Sequence, residues 1–450
     1  MKRAPKKKKS DLVNLSRSSI VNQLKAVKDS VIHLPPNNNM HGLIDENKWT
    51  WFFKSLAHLG NTHYPYQHYN KPDENNGIFP MIRKTEGPVT VALLSDWASD
   101  TVESQLIAQL TGKQDYSIHL GDTYYVGDSQ EIADNFNDTF GGAWPFGTHG
   151  SFALLGNHEM YSSGKSYFTE LLPYMGIHHP IRGFLRQEAS FFCLEDEHWR
   201  IIGLDTGYDS LRGWLGLSPK TNLQLPQALV DWVREAVQPG KDRRGIILLS
   251  HHSCLSAFAG EIEFRAIIPQ LADLFGANRT MLWFAGHEHR LAVYGYNPLA
   301  DGTGFYLRCI GHGGMPVEVD KSIPRSADPA APENRNLILF DKRVRERIGG
   351  NIALGHNGYA VLQLNGPQLK ILYYDDAFVD RQGARAPILE EEWVVDIQSG
   401  GIMGKEIVDH IASGGAATSG AATSGAATSG APGQGLTRVH ADIRLAIGQG

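Results

Sequence analysis

The stretch Val89–Asp96 reads VTVALLSD and places a carboxylate directly after a short run of apolar residues. The run is too short and too rich in β-branched residues for a helix, so it predicts a buried β-strand. A helical segment at Thr101–Leu110 and a second strand at Tyr116–Leu120 follow it. Because strand and helix keep alternating further along the chain, the sequence predicts an α/β fold.

Antiparallel pieces interrupt this alternation. Ser190–Leu194 and Arg200–Leu204 flank a polar turn, which predicts a hairpin. A later set of segments is purely β and includes the hairpin turn Asn365-Gly366. We therefore expect two stacked mixed β-sheets flanked by helices. The remaining predicted elements are strands at Phe152–Leu155, Gly245–Leu249, Met281–Phe284, Phe305–Ile310, Tyr359–Leu364 and Leu369–Tyr374, and helices at Glu131–Phe140, Tyr167–Met175, Leu229–Val237 and Ala266–Phe275.

A polar motif follows each of five predicted strands. Ligands collect beyond the carboxyl ends of the strands in open α/β sheets, so we expect these motifs to share one edge. Each motif alone is more often a turn, a helix cap or a structural histidine. Together they supply the oxygen and imidazole donors of a catalytic site for Fe, Mn, Zn or Mg. The motifs are Asp96-Trp97-Ala98, Gly121-Asp122-Thr123-Tyr124-Tyr125, Gly156-Asn157-His158-Glu159, His251-His252 and Gly286-His287-Glu288-His289.

In this order, the five motifs resemble those of the metallophosphoesterase (calcineurin-like phosphoesterase) superfamily, over about Val89–Asp375. The resemblance implies a fold of two mixed sheets flanked by helices and a centre of two metal ions. It also implies that His158 contacts the substrate phosphate and helps the leaving group. The implied metal ligands are Asp122 as the bridging carboxylate, Asp96 and His289 on the first metal, and Asn157, His251 and His287 on the second.

The first motif departs from the common pattern of the superfamily. Most members have a metal-binding histidine where this chain has Ala98. Purple acid phosphatases also lack that histidine and use the tyrosine of Gly-Asp-x-x-Tyr, which Tyr125 resembles, so the chain is most similar to that branch. A phenolate favours Fe(III), so we expect iron at the first site and Fe, Mn or Zn at the second. The alternative is that Tyr125 only packs, with Tyr124 beside it as an internal comparison.

The expected activity is that of a metal-dependent phosphoric ester hydrolase. A hydroxide that bridges the two metals would attack phosphorus in line, with a small phosphorylated molecule as the substrate. We expect a phosphomonoesterase. The alternatives are a phosphodiesterase or nucleotide hydrolase on the same metal core, or a non-catalytic scaffold. The sequence shows no clear acid that would orient His158, and His252 and His312 are either at the edge of the site or structural.

Composition bounds the partners and the compartment. The chain has 450 residues and a net charge of −6, so nothing global indicates a nucleic-acid partner. It contains no apolar stretch long enough to span a membrane and no signal-peptide pattern after its basic N-terminus. Cys193, Cys254 and Cys309 lack CxxC spacing and resemble buried thiols of a reducing compartment, so we expect a cytoplasmic location.

Four parts of the chain differ in character. Residues 1–88 hold a basic tail, a predicted helix at Leu12–Ile32 and an aromatic cluster at Trp49–Phe53, which we expect to cap the core rather than form a lid. Residues 89–400 form the predicted catalytic domain, with an insertion at 315–350. Repeats of Gly-Ala-Ala-Thr-Ser mark 401–435 as a flexible linker. Residues 436–450 either add a strand to a sheet edge or stay disordered.

Overall fold

The computed structural model of this chain describes most of its central part. The predicted helix Leu12–Ile32, the repeats beyond residue 417 and the alternating segment Val439–Ile447 lie outside the described residues. The structure describes residues 51, 54–58, 61–69, 75–82, 86–137, 143–212, 218–299, 301–348, 352–379, 385–411, 416–417 and 437–438.

The first large sheet, called sheet I, is mixed. Its centre consists of parallel strands that are mostly apolar and almost entirely buried, as expected of strands covered on both faces. In spatial order its nine described strands are Ile78–Pro80, Phe192–Glu195, Trp199–Leu204, Gly245–Ser250, Thr280–Ala285, Gly304–Ile310, Leu291–Pro298, Leu337–Phe340 and Thr437–Arg438.

The second large sheet, called sheet II, is also mixed. Val89–Leu94 pairs in parallel with Tyr116–His119, which pairs in parallel with Gly150–Ala153. The strands outside this trio are antiparallel. In spatial order the nine described strands are Gly401–Asp409, Leu389–Asp396, Gln368–Asp375, Gly358–Asn365, Val89–Leu94, Tyr116–His119, Gly150–Ala153, Gly176–His179 and Gly183–Arg186.

The two sheets stack face to face, and helices cover their outer faces. Val91 and Leu93 of sheet II belong to the same apolar core as Ile247 and Leu249 of sheet I. This confirms the predicted α/β fold of two stacked mixed sheets flanked by helices. The α-helices are Val102–Thr111, Ser129–Phe136, Asn157–Met160, Gln227–Trp232 and Ile267–Phe275; π-helical turns span Tyr167–Leu171 and Val233–Val237, and 3₁₀ turns span Leu172–Tyr174, Pro239–Lys241, Val319–Lys321 and Pro332–Asn334.

Three short strand pairs complete the described structure. They are Leu211–Arg212 with Ser218–Pro219, Glu346–Ile348 with Ile352–Leu354, and Phe378–Val379 with Ala416–Ala417.

Both predicted hairpins are confirmed. Phe192–Glu195 pairs antiparallel with Trp199–Leu204. Gly358–Asn365 pairs antiparallel with Gln368–Asp375, and Gly366 has a φ of 58° in the turn between them. The three cysteines are free and buried, as predicted. Among the described residues, no helix is both long and apolar enough to cross a bilayer.

The sheets extend past the expected limits of the catalytic domain. Ile78–Pro80 joins sheet I before residue 89, and Gly401–Asp409 joins sheet II where a linker was expected. Gly401–Asp409 reads GIMGKEIVD, and its glycines and charges hide a strand that is decided by pairing with its neighbour. Likewise, Leu337–Phe340 is a buried strand of sheet I, so residues 315–350 are not wholly an insertion.

A buried ion pair links the two sheets across the core. Arg308 of sheet I and Glu391 of sheet II are both fully buried and form a two-point contact, with N···O distances of 2.7 and 2.6 Å. The Glu391 carboxylate also accepts hydrogen bonds from Tyr373 and Trp393, and the Arg308 guanidinium also donates to backbone carbonyls. Every polar atom of the pair therefore has a partner, which is what a buried charge requires.

We predict that Arg308→Met lowers the free energy of unfolding by about 3–5 kcal/mol, because it leaves the Glu391 carboxylate buried and unpaired. The double variant Arg308→Met/Glu391→Leu should recover a large part of that loss. Urea denaturation of the three proteins measures this. Equal losses in the single and the double variant would contradict the role given to the unpaired charge.

Candidate metal centre

Strand ends from both sheets deliver the predicted ligands to one place. Sheet II supplies two carboxylates and an amide, and sheet I supplies the histidines. Ligand atoms of Asp96, Asp122 and His251 lie within 4.8 Å of one another, and those of His251, His252 and His287 do so as well. The strand ends that precede the predicted ligands are Leu94 for Asp96, His119 for Asp122, Ala153 for Asn157, Ser250 for His251 and Ala285 for His287.

The backbone at the strand ends is unusual for these residue types. Asp96, Asp122 and His287 have φ angles of 54°, 71° and 67°, in the left-handed region that side chains rarely adopt. Such conformations persist where the surrounding structure enforces them, often at functional sites. A side chain at Gly156 would come within 2.1 Å of Asp122 Oδ1, so only glycine allows this close approach.

The two carboxylates are fully enclosed and heavily contacted. Asp96 Oδ2 accepts hydrogen bonds from Ser95 Oγ at 2.7 Å and from the His287 backbone amide at 2.9 Å. Asp122 Oδ1 accepts one from the His158 backbone amide at 2.9 Å. Burial alone would raise the pKa of Asp122, but His251 and His158 outweigh it and hold that pKa well below the usual range. Asp122 therefore stays a carboxylate in this site.

His251 provides a test of whether a cation fits here. Its Nδ1 lies 3.1 Å from the Leu120 carbonyl oxygen and must carry a proton to bond there. Its Nε2 lies 3.2 Å from Asp122 Oδ2 and 3.3 Å from Asn157 Oδ1. A bare Nε2 would face these oxygens lone pair to lone pair, so a proton or a metal ion must lie between them.

Without a metal, the proton fills this role. Burial opposes the charged form of His251, but Asp122 and Asp96 outweigh burial and raise its pKa to about 9. The neighbouring His287 behaves in the opposite way, because burial and His251 lower its pKa to about 3. His287 thus keeps a nitrogen lone pair available. The residues present fit a metal ion by the chemistry of their donors.

Tyr124 lies in the middle of the predicted first metal site. Its hydroxyl is 2.7 Å from Asp96 Oδ1, 3.0 Å from Asp122 Oδ2 and 3.0 Å from His289 Nε2. His289 Nε2 in turn lies 3.4 Å from Asp96 Oδ1. Four donor groups from three motifs therefore converge, which is a set suited to one metal ion.

Tyr125 is the tyrosine that the sequence pattern selects. It shares a small apolar cluster with Tyr124, Val126 and Met315, and Lys54 Nζ lies 5.7 Å from its ring centre. The backbone amide of Tyr124 bonds to the Ala98 carbonyl at 2.8 Å and holds this loop against the first motif. In this structure Tyr124 is the tyrosine whose hydroxyl contacts Asp96 and Asp122, and the ligand role of Tyr125 stays a prediction.

His158 is oriented by the backbone rather than by an acid. Its Nδ1 lies 2.6 Å from the Tyr125 carbonyl oxygen, and its Nε2 lies 3.8 Å from Asp122 Oδ2. The ring is one-fifth exposed and tilts against Tyr124 at a centroid distance of 4.3 Å. The carbonyl thus fixes which nitrogen faces the metal centre, a question that the sequence leaves open.

His252 and His312, the other two histidines considered from the sequence, lie in different surroundings. His252 lies within the histidine cluster, with its ring 4.4 Å from that of His287 and its amide bonded to Thr206 Oγ1. His312 is buried, its carbonyl accepts hydrogen bonds from Asn357 and Gly358, and it belongs to neither group of ligand atoms.

Sequence reasoning missed two buried glutamates that hold the loops of the site. Glu159 Oε2 accepts from the amides of Gly156 at 2.9 Å and Asp122 at 3.3 Å and so ties two motifs together. Glu131 accepts from four consecutive backbone amides, Tyr125 to Asp128. The available signal was the capping-box spacing, Gly156-x-x-Glu159 and Asp128-x-x-Glu131, because a glutamate at the third helical position reaches back to free amides.

Comparison with known proteins agrees with this geometry. The family model described as calcineurin-like phosphoesterase matches residues 56–291, more than half of the chain. The chain therefore belongs to the calcineurin-like phosphoesterase family, a family of metal-dependent phosphoesterases, and the predicted resemblance is confirmed. No curated protein sequence matches the chain.

Several solved structures are similar. One is GAP50, described as the anchor in the inner membrane complex of Plasmodium, at 12% identity over 69% of this chain and 90% of that chain, with a TM-score of 0.43. PhoD matches at 12% identity over 73% of each chain, with a TM-score of 0.45. A conserved uncharacterized protein of Streptococcus pneumoniae TIGR4, described as a predicted phosphoesterase, matches at 13% identity over 69% and 99%, with a TM-score of 0.25.

The two adjacent tyrosines form a matched pair for an experiment. In protein loaded with Fe(III), we expect a visible absorption band from an iron-bound phenolate, because a metal cation favours the deprotonated form of its ligand. Tyr124→Phe should abolish the band and lower the iron content. Tyr125→Phe should keep both. Loss of the band in Tyr125→Phe alone would contradict the placement of Tyr124.

Proposed function

We propose that this chain is a phosphomonoesterase with a two-metal centre. The observation that carries the proposal is the convergence of two buried carboxylates, an amide and three histidines on one edge, with His158 beside them. Metal ions bound there would supply positive charge for the phosphoryl oxygens and lower the pKa of a water nucleophile. The backbone hydrogen bonds to Glu159 and Glu131 are suited to holding the loops that carry those donors.

The proposed ligand roles follow from which side chains lie together. Asp122 contacts groups on both sides, Tyr124 on one and His251 on the other, so we propose it as the bridging ligand. The first metal would be held by Asp96, Tyr124 and His289, and the second by Asn157, His251 and His287. Because a phenolate is a hard anionic donor, we propose Fe(III) for the first site and Fe, Mn or Zn for the second.

The role proposed for His158 rests on its two nitrogens. Nδ1 donates to the Tyr125 carbonyl, which stabilises the ring in either charge state, while Nε2 faces the metal centre. A proton on Nε2 can hydrogen bond to a phosphoryl oxygen and pass to the leaving alcohol, which is general acid catalysis. Because the Tyr125 carbonyl holds Nδ1, the Nε2 proton stays directed at the metal centre, where the substrate would bind.

We predict that His158→Asn lowers kcat for an alkyl phosphate such as glycerol 2-phosphate by about 10²–10⁴, the usual contribution of a positioned general acid, and kcat for 4-nitrophenyl phosphate by much less. The metal content should stay unchanged, because His158 is not a proposed ligand. His178→Asn, which changes an exposed histidine of sheet II, is the matched control.

A substrate panel decides the ester class. The proposal predicts turnover of 4-nitrophenyl phosphate and little turnover of bis(4-nitrophenyl) phosphate. Turnover of the diester alone would support a phosphodiesterase on the same metal core. A protein that binds metal and turns over neither ester would contradict the enzymatic proposal and leave a scaffold.

A further inference from the structure

A short N-terminal piece, at the start of the matched family region and just before it, contacts the loop of the site. We call it the N-terminal clamp: Trp51 together with residues 54–58, which are helical from Trp51 to Ala57 where described. Lys54 Nζ lies 2.6 Å from Glu131 Oε1, and His58 Nε2 lies 3.7 Å from Asp128 Oδ2. Because the family model starts at residue 56, Trp51 and Lys54 are features of this chain beyond the family match.

The partner of Lys54 is the residue that shapes the loop. Glu131 Oε1 accepts from the Tyr125 amide at 2.5 Å, and Oε2 accepts from Val126 and Gly127 at 2.8 Å each. The Glu131 side chain is only 6% exposed, and a buried carboxylate is costly unless it is paired. Lys54 supplies the opposite charge, so it stabilises the form of Glu131 that holds these amides.

The loop in turn sets the position of His158. The Tyr125 residue whose amide is held by Glu131 offers its carbonyl to His158 Nδ1 at 2.6 Å. A second connection runs through aromatic rings. Trp51 meets Tyr161 edge to face at 5.2 Å, and Tyr161 meets His158 edge to face at 5.2 Å. The clamp therefore reaches His158 from two directions.

We infer that the N-terminal clamp holds His158 in place for proton transfer, with Lys54 as a positioning residue that acts through Glu131 and the Tyr125 carbonyl. This inference rests on the proposed phosphatase function. Lys54 itself touches neither the proposed metal ligands nor the reacting atoms, because its contacts are with Glu131 and the Tyr125 ring. Its removal should therefore impair the protonation of the leaving group more than the binding of substrate.

The test compares two leaving groups. General acid catalysis matters most when the leaving alcohol is a strong base and least when it is an acidic phenol. In Lys54→Met we expect kcat for glycerol 2-phosphate to fall by about 10-fold or more and kcat for 4-nitrophenyl phosphate by less than about 3-fold, within the roughly 10²–10⁴ that a general acid contributes. KM should change little for either substrate, and Lys54→Arg should restore most of the loss.

Two further readouts separate this inference from the proposed function. Hydrogen exchange of the amides of residues 125–128 should speed up in Lys54→Met. It should not change in the control Lys370→Met, which removes the 2.5 Å ion pair with Glu390 on sheet II. Equal losses of kcat for both substrates, or unchanged exchange in Lys54→Met, would overturn the positioning role. A wild-type protein inactive on both substrates would instead contradict the proposed function, and the catalytic part of the inference with it.

Discussion

The buried carboxylates Asp96 and Asp122 are the constraint on which the site depends. Both are almost fully inaccessible to solvent, and one hydroxyl, that of Tyr124, lies between them at 2.7 and 3.0 Å. Two like charges this close repel in a low-dielectric interior unless positive charge accompanies them. In the described structure their ion pairs are with histidines, which are both proton carriers and metal ligands. The architecture thus reserves this place for cations.

Both sheets contribute residues to the candidate metal centre. Sheet II carries Asp96, Asp122 and Asn157, and sheet I carries His251 and His287, so the distance between donors is set by how the sheets stack. The stacking is specified by apolar side chains and by the buried pair Arg308–Glu391. A two-point arginine–carboxylate contact has a fixed geometry, which gives the otherwise non-directional core a defined register. The site therefore inherits its precision from contacts elsewhere in the core.

Strand ends were predictable from sequence, whereas loop geometry was not. Short apolar runs followed by Asp, Asn or His fixed the fold class and brought Asp96, Asp122, Asn157, His251 and His287 to one edge as expected. Which tyrosine hydroxyl contacts the two carboxylates depends instead on the conformation of this loop. A backbone bond to Ala98 and the hydrogen bonds to Glu131 hold the loop, and neither leaves a periodic pattern in the sequence. The strand Gly401–Asp409 was missed for a related reason, since its pairing outweighs its weak local preference.

Direct titration of the metal-free protein with Mn(II) by calorimetry tests the central claim, that the paired carboxylates hold metal ions. The account predicts about two ions bound per chain, as in two-metal hydrolases, and a clear loss of binding in Asp122→Asn, which removes the shared ligand. A wild-type protein that takes up no metal, or an Asp122→Asn variant that binds the same number of ions with the same affinity, would contradict it.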